Sequence, residues 1–525
     1  MKKSMLLLAL VVIVGFVACA PGDEGGEVTQ FIVGNGTEPE SLDPHLVSGV
    51  PEHRILMGIF EGLVVPDPET ASAIPGVAES WEISDDNTVY TFTLREDAVW
   101  SDGTPITAQQ FVDSWIRILH PDTASQYAWF PSLFIRGAEE FNAGEVDASA
   151  VAVRALDDRT FQFETVGPAP YTLDALAHYS FAVVPLHAIE EHGSEWTLPE
   201  NFVGNGPFVL TEWSPQERIV VEPNPNYWNA EIVELDSVTF LPVEEDSTMY
   251  SMFVNEEMSW ATNLPTGQIA EARLRDDFFA SPQLGTYYYV FNNERPPLDD
   301  ARVRQALSLA INRQLLVETV TRGGQVPAFT MVPEMTGYPG IDGLGEDIAR
   351  AQQLLAEAGF PDGEGFPELT VLYNTNEAHK SIGEFIQQQW LDNLGINVTL
   401  ENQEWGTYLN TRREGNFDIA RAGWLGDYQD PNTFLDLFVT GNALNGGRYS
   451  NTEFDTLVSD AARMAPGSER YDTLAAAERI FIEEDQGVMP IYYYVNLNLI
   501  DTGNDWAGWY DNIMDWHPVG NVAGY

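Results

Sequence analysis

The sequence predicts a mixed α/β fold, and three observations lead there. VYTFTL (89–94) alternates large apolar side chains with smaller or polar ones, the period-two signature of a half-buried strand. Segments near 107–118, 301–311, 348–358 and 382–390 carry apolar residues at helical spacing. Strand-like and helix-like patterns then alternate along the chain with no internal repeat. At roughly 150 residues per domain, 525 residues suggest about three domains.

The elements follow in chain order. The start, MKKSMLLLALVVIVGFVACA, has two lysines, an apolar run from Met5 to Val17, then Ala18 and Cys19. That run is shorter than the about 20 residues that span a bilayer, so 1–18 reads as a secretory signal peptide. Cys19 is the only cysteine in the chain. Phe16-Val17-Ala18-Cys19 resembles a lipobox, which makes Cys19 a lipidation site and 19–29 an anchor with a polar tether. No internal disulfide can form, so stability must come from a large core. Beyond the tether, SDGTPITAQQFVDSWIRIL places a turn at Asp102-Gly103 and an N-cap at Thr107. Gln110 completes a capping box, and Phe111, Trp115 and Ile118 form the apolar stripe. Val303, Leu307, Ala310 and Ile311 mark a second helix. Ile348 to Ala358 marks a third, closed by Gly359. Ile382 to Trp390 marks a fourth, ended by Gly395 and followed by a strand INVTL. These patterns set out 285–495 as one α/β domain and 61–185 as a smaller one. The remainder, 30–60 with 186–284 and 496–525, forms a discontinuous third domain.

The formal charge is −55, spread over the whole chain. Nucleic acid is excluded as a partner, because phosphates would be repelled and no basic patch exists. Dispersed acid fits a surface hydrated in a saline habitat better than steering of cationic ligands. No Walker A loop, G-x-S-x-G elbow or H-E-x-x-H is present. His187 and His192 are five apart, about 500° around a helix, and do not share a face to hold a metal. With no catalytic constellation, no metal and no cofactor motif, the chain reads as a non-enzyme.

The segment IARAGWLGDYQDP (419–431) sets Arg421, Trp424, Asp427 and Asp430 among small residues at the end of a predicted buried strand. An internal salt bridge beside a core Trp is the plain explanation. Gly423 and Gly426 suggest a close approach to the backbone.

Several stretches together resemble the peptide-binding receptors of bacterial ABC importers, solute-binding protein family 5, and within it the oligopeptide receptors. They are EPESLDPH (38–45), AESWEISDDNTVYTFTLREDAVWSDGTPITAQQFVDSW (78–115), HPDTASQYAW (120–129), NGPFVLTEW (205–213), ARVRQALSLAINR (301–313) and NQEWGTYLNTRREGNFDIARAGWLGDYQDPNTFL (402–435). The resemblance implies a two-lobed periplasmic-binding-protein-like (type II) fold with an extra domain, closing like a flytrap. It implies a monomeric, extracytoplasmic, lipid-anchored receptor that hands oligopeptides to a membrane permease with its ATPases. By the same resemblance Asp427 takes the peptide's α-ammonium, and Arg421, Arg412 and His379 meet the C-terminal carboxylate of peptides of different length. Gly423 lets the peptide run beside the backbone, Trp405 and Trp424 wall side-chain pockets, and Tyr127 contacts the peptide from the smaller domain. Ser48 and Val290 stand where relatives can carry acids, which leaves side-chain selectivity open. Other solutes on the same fold (a murein peptide, a dipeptide, an oligosaccharide) and a peptide-sensing surface lipoprotein are the alternatives.

Overall fold

The computed structural model describes residues 30–67 and 72–501. The segments expected to be a signal peptide and a tether, the expected lipidation site Cys19, and residues 502–525 of the expected discontinuous domain lie outside the described residues.

The α/β expectation holds. One large sheet runs from edge to edge through Val398–Gln403, Leu369–Asn374, Ile419–Leu425, Phe278–Phe291, Val488–Ile500, Trp260–Ala261, Gln30–Gly34, Ser237–Leu241, Arg218–Pro223 and Phe208–Ser214. Its two long central strands, Phe278–Phe291 and Val488–Ile500, pair antiparallel along their length. Their ladder breaks register between Pro282 and Thr286. On one side of the break, Val488–Ile500 continues into Trp260–Ala261 and the strands beyond. On the other, Phe278–Phe291 pairs with Ile419–Leu425. A two-stranded ribbon thus joins the halves of the sheet.

The parallel pair Leu369–Asn374 and Val398–Gln403 is linked by the helix Glu377–Leu394. This crossover suits a sequence in which a helical stripe (Ile382, Ile386, Trp390) is followed by a strand. Gly395 ends the helix at φ +70°, a left-handed conformation that glycine adopts without Cβ strain.

A second, four-stranded antiparallel sheet has the order Ala78–Ile83, Val89–Leu94, Thr160–Glu164, Val153–Ala155. Tyr90, Phe92 and Leu94 are buried, as the alternation predicts. The helix Ala108–Leu119 covers the sheet and starts with the expected capping box: Gln110 Oε1 accepts from the Thr107 N–H at 3.1 Å, and the Thr107 side chain faces the Gln110 N–H. Trp115 is fully buried, edge-on to Phe161, Phe163 and Phe181. Its truncation to Ala would cost about 3–5 kcal/mol. His187 is occupied by Asp102, with Nε2 at 2.9 Å from the carboxylate.

Candidate functional site

A cavity of about 470 Å³ lies where these units meet. Of the residues singled out in the sequence, Asp427, Arg421, His379, Trp405, Trp424, Gly423 and Tyr127 line it, and so does Ser48. Arg412 does not. It sits on the last turn of the helix Trp405–Glu414, its guanidinium carbon 5.7 Å from the centre of the Tyr408 ring. Seven residues along a helix from Trp405 is about 10 Å, which carries Arg412 past the cavity wall. Val290 is buried in the central sheet, away from the lining.

The strand Ile419–Leu425 buries Ala420, Ala422 and Trp424 and turns Arg421, Gly423 and Leu425 the other way. One edge of it is fully paired with residues 285–291. The other edge pairs with Leu369–Asn374 only at Ile419 and Ala420. From Arg421 onward that edge has no ladder partner among the described residues; the Arg421 carbonyl accepts from the Tyr408 hydroxyl, and the backbone beyond it is left without ladder bonds for an added strand to meet.

Arg421 has no carboxylate within salt-bridge distance among the described residues, so the internal ion pair expected of this segment belongs to Asp430 and not to Arg421. Asp430 pairs instead with Arg470 through two bonds of 2.7 and 2.8 Å. Arg421 donates to the Tyr494 hydroxyl at 2.7 Å and to Asn374 Oδ1 at 3.4 Å, and lies 4.6 Å over the Tyr287 ring. Burial works against its charge, but the tyrosine oxygens around it more than offset this and hold it above the ordinary value. A half-buried, charged guanidinium with no counter-ion among the described residues is suited to receive a carboxylate.

Gly423 has a cause that the sequence did not show. A Cβ there would lie 2.2 Å from the Tyr494 hydroxyl, the same atom that holds Arg421. Glycine is required so that the arginine can be anchored.

His379 caps the cavity from the first turn of the helix Glu377–Leu394, 3.4 Å from the Tyr287 hydroxyl. Burial and the adjacent Arg421 charge keep its imidazole well below the ordinary pKa, and the positive end of the helix acts in the same direction. It is a neutral hydrogen-bonding group, not a second cation. A second guanidinium does line the cavity: Arg54, which donates to Asn35 Oδ1 at 2.8 Å and lies 5.2 Å over Trp260.

Asp427 follows the strand. Burial raises its carboxyl well above the ordinary range, and the Tyr127 hydroxyl beside it acts the other way. Its Oδ1 lies 3.7 Å from His178 Nε2, while Oδ2 has no hydrogen-bond partner among the described residues. The raised value favours the protonated form, and an arriving ammonium would draw the carboxyl into its ionised form with one oxygen free to meet it. The next residue, Tyr428, stacks between Tyr171 (4.4 Å) and Phe130 (5.5 Å), which seals this end. Trp424 Nε1 donates to Thr433 Oγ1 at 3.4 Å, and its ring is 6.4 Å from Trp129. Trp405 stacks on Tyr408 and stands against buried Glu52, whose carboxyl burial raises to about 7.

The sequence reading missed His178, Tyr494, Asn374 and Arg54. Period-two alternation in IYYYVNLNL puts Tyr492, Tyr494 and Asn496 on one face, and that signal could have grouped them. Nothing local marks His178.

Residues 72–446 match the family "Bacterial extracellular solute-binding proteins, family 5 Middle". The periplasmic oligopeptide-binding protein OppA of Salmonella typhimurium is 39% identical over 91% of this chain and 88% of its own. The crystal structure of Haemophilus influenzae OppA in complex with RPPGFSPFR superposes with a TM-score of 0.89 at 34% identity, covering 94% of this chain and 99% of that one. The Escherichia coli murein tripeptide binding protein MppA superposes at 0.89 (35% identity, 94% and 98% covered). MppA in its unliganded open form gives only 0.62 (36% identity, 94% and 97% covered). The conformation described above is therefore unlike that open form.

Proposed function

Because the chain belongs to the family 5 bacterial extracellular solute-binding proteins, we propose that it is an extracytoplasmic receptor that binds oligopeptides and delivers them to an ABC importer. One observation carries the proposal. Asp427 and Arg421 are half-buried, one an acid and one a base, neither with a fixed counter-charge among the described residues, and they face one cavity along a strand edge left unpaired from Arg421 onward. An enclosed peptide is a zwitterion whose two ends each need a partner once water is removed. The strand edge binds main chain whatever the side chains are.

In this reading Asp427 takes the α-ammonium, with Tyr127 and Tyr428 closing that end. Arg421 takes the carboxylate of a short peptide, with His379 adding an N–H bond. Gly423 leaves room for the Tyr494–Arg421 pair and for the peptide backbone. Trp405 and Trp424 wall the side-chain pockets. Arg412 stands behind the wall and reaches a carboxylate only if its helix shifts. In this reading the discontinuous domain and 285–495 are the two lobes, with 61–185 as the extra domain, and the register break near Pro282 and Thr286 supports a boundary there. The monomer is held to a membrane by a lipid at Cys19, and a permease with its ATPases receives the ligand.

Mass spectrometry of ligands that co-purify with the native protein tests this. A mixture of short peptides is expected, and murein-type peptides alone would narrow the class. A sugar or another uncharged solute would overturn the proposal.

A further inference from the structure

His178 is buried at the ammonium end of the cavity, and no part of the reading above uses it. Its ring lies 4.7 Å from Tyr127, 5.6 Å from Phe130 and 5.7 Å from His53 on the helix Val50–Ile59. Local chain geometry decides its tautomer. His178 precedes the short turn Tyr179–Phe181, and the Ser180 N–H donates to its Nδ1 at 3.3 Å. The Ser180 hydroxyl is also 2.9 Å from Nδ1. A backbone N–H can only donate, so Nδ1 is the acceptor and the neutral ring carries its proton on Nε2. That N–H faces Asp427 Oδ1 at 3.7 Å. A movement of about 0.7 Å brings the pair to hydrogen-bonding length.

We propose that His178 is a positioning residue for peptide recognition: its Nε2–H holds Asp427 Oδ1, so that Oδ2 is presented to a primary α-ammonium. Three features support it. The tautomer is set by backbone and not by the ligand. Asp427 Oδ2 has no partner among the described residues, so the two oxygens have separate roles. Asp427 is the carboxylate that meets the ring, with His53, Tyr127 and Tyr179 packed around it and Glu52 beyond Tyr179, and burial with His53 beside it keeps His178 from competing as a cation. A neutral donor steadies the carboxylate without neutralising it. A protonated one would take the place of the ligand's charge.

This rests on the assignment of Asp427 to the ammonium, and the test separates the two. His178→Phe keeps a ring for the aromatic packing and removes the donor. His178→Gln keeps an N–H and removes the ring. Affinity for trialanine and for N-acetyl-trialanine is measured by calorimetry, with melting temperature as the folding control. The Phe variant is expected to lose roughly tenfold or more for the free peptide, the size of a hydrogen bond to a charged group. Its weak binding of the acetylated peptide should not change, and the Gln variant should recover most of the loss. Free-peptide affinity unchanged in the Phe variant, or an equal loss for both peptides, would overturn the inference. Asp427→Asn is run alongside. If it too leaves free-peptide affinity unchanged, the ammonium assignment itself fails. If it alone weakens binding, that assignment stands and only the role of His178 is lost.

Discussion

Gly423→Ala should weaken peptide binding by displacing the hydroxyl that anchors Arg421. The new Cβ would lie 2.2 Å from the Tyr494 hydroxyl. Ordinary contact begins near about 3.4 Å, so the hydroxyl must retreat by roughly 1.2 Å. It then leaves Arg421, to which it is bonded at 2.7 Å. A bond to a charged group contributes about 1.5–3 kcal/mol, which corresponds to a roughly 10- to 150-fold weaker affinity. Tyr494→Phe removes the clashing oxygen and leaves the ring carbon 3.1 Å from the new Cβ, a gap that small shifts can open. It also removes the Arg421 bond by itself. The two substitutions should therefore be strongly non-additive: Gly423→Ala should cost far less in the Tyr494→Phe background than in the native one. Calorimetric titration with trialanine across the four proteins gives the coupling energy. Strict additivity would refute the reasoning and leave Gly423 as a glycine required by the ligand alone.

Asp427→Asn should cost about 3–5 kcal/mol of peptide affinity, since it strands a desolvated ammonium, and a peptide acetylated at its N-terminus should bind the native protein comparably poorly. An affinity within twofold of native, read by calorimetry, would remove Asp427 from the site. Burial holds the unliganded Asp427 carboxyl above its ordinary value, and an ammonium beside it favours the ionised form. Binding should then release protons, affinity should rise with pH through that raised value, and enthalpies taken in buffers of different ionisation heat should differ. Asp427→Asn should abolish the difference. Glu61 is raised by burial from 4.5 to about 7, despite bonds from Tyr227 (2.5 Å) and Trp228 (2.8 Å). The folded state holds that proton more tightly, so the stability it contributes is full below about 4.5 and lost as pH rises through about 7. Melting curves should show Glu61→Gln flattening the fall in stability across that window, and an unchanged slope would exclude Glu61 as a cause.

What the sequence made legible was local. The capped helix Ala108–Leu119, the alternating strand Val89–Leu94 and the Gly395 stop depend on neighbours within a turn or two, and each appears where the pattern puts it. The charged segment at 419–431 was conspicuous because charges at a strand end need an explanation. Its partners were not legible. Arg421 meets Tyr494 across 73 residues of chain, and no periodicity links them. His178 meets Asp427 only because the smaller sheet and the large one face a common cavity. Arg412 and Trp405 share a helix face in the pattern, yet helical rise, not face, decides that only Trp405 reaches the lining.

The paired strands Phe278–Phe291 and Val488–Ile500 constrain how the site can be assembled and dismantled. A two-stranded ribbon bends and twists readily across its strands, but sliding one strand past the other would break its ladder bonds together. The register break near Pro282 and Thr286 places the softest point between the two halves. If the proposed receptor opens there, the movement would be a pivot with little freedom to shear, and the walls would return to the same alignment on every cycle. Asp427 and Tyr127 need no lateral search to meet again, and little of the energy from capturing a ligand is spent on realigning the walls around it.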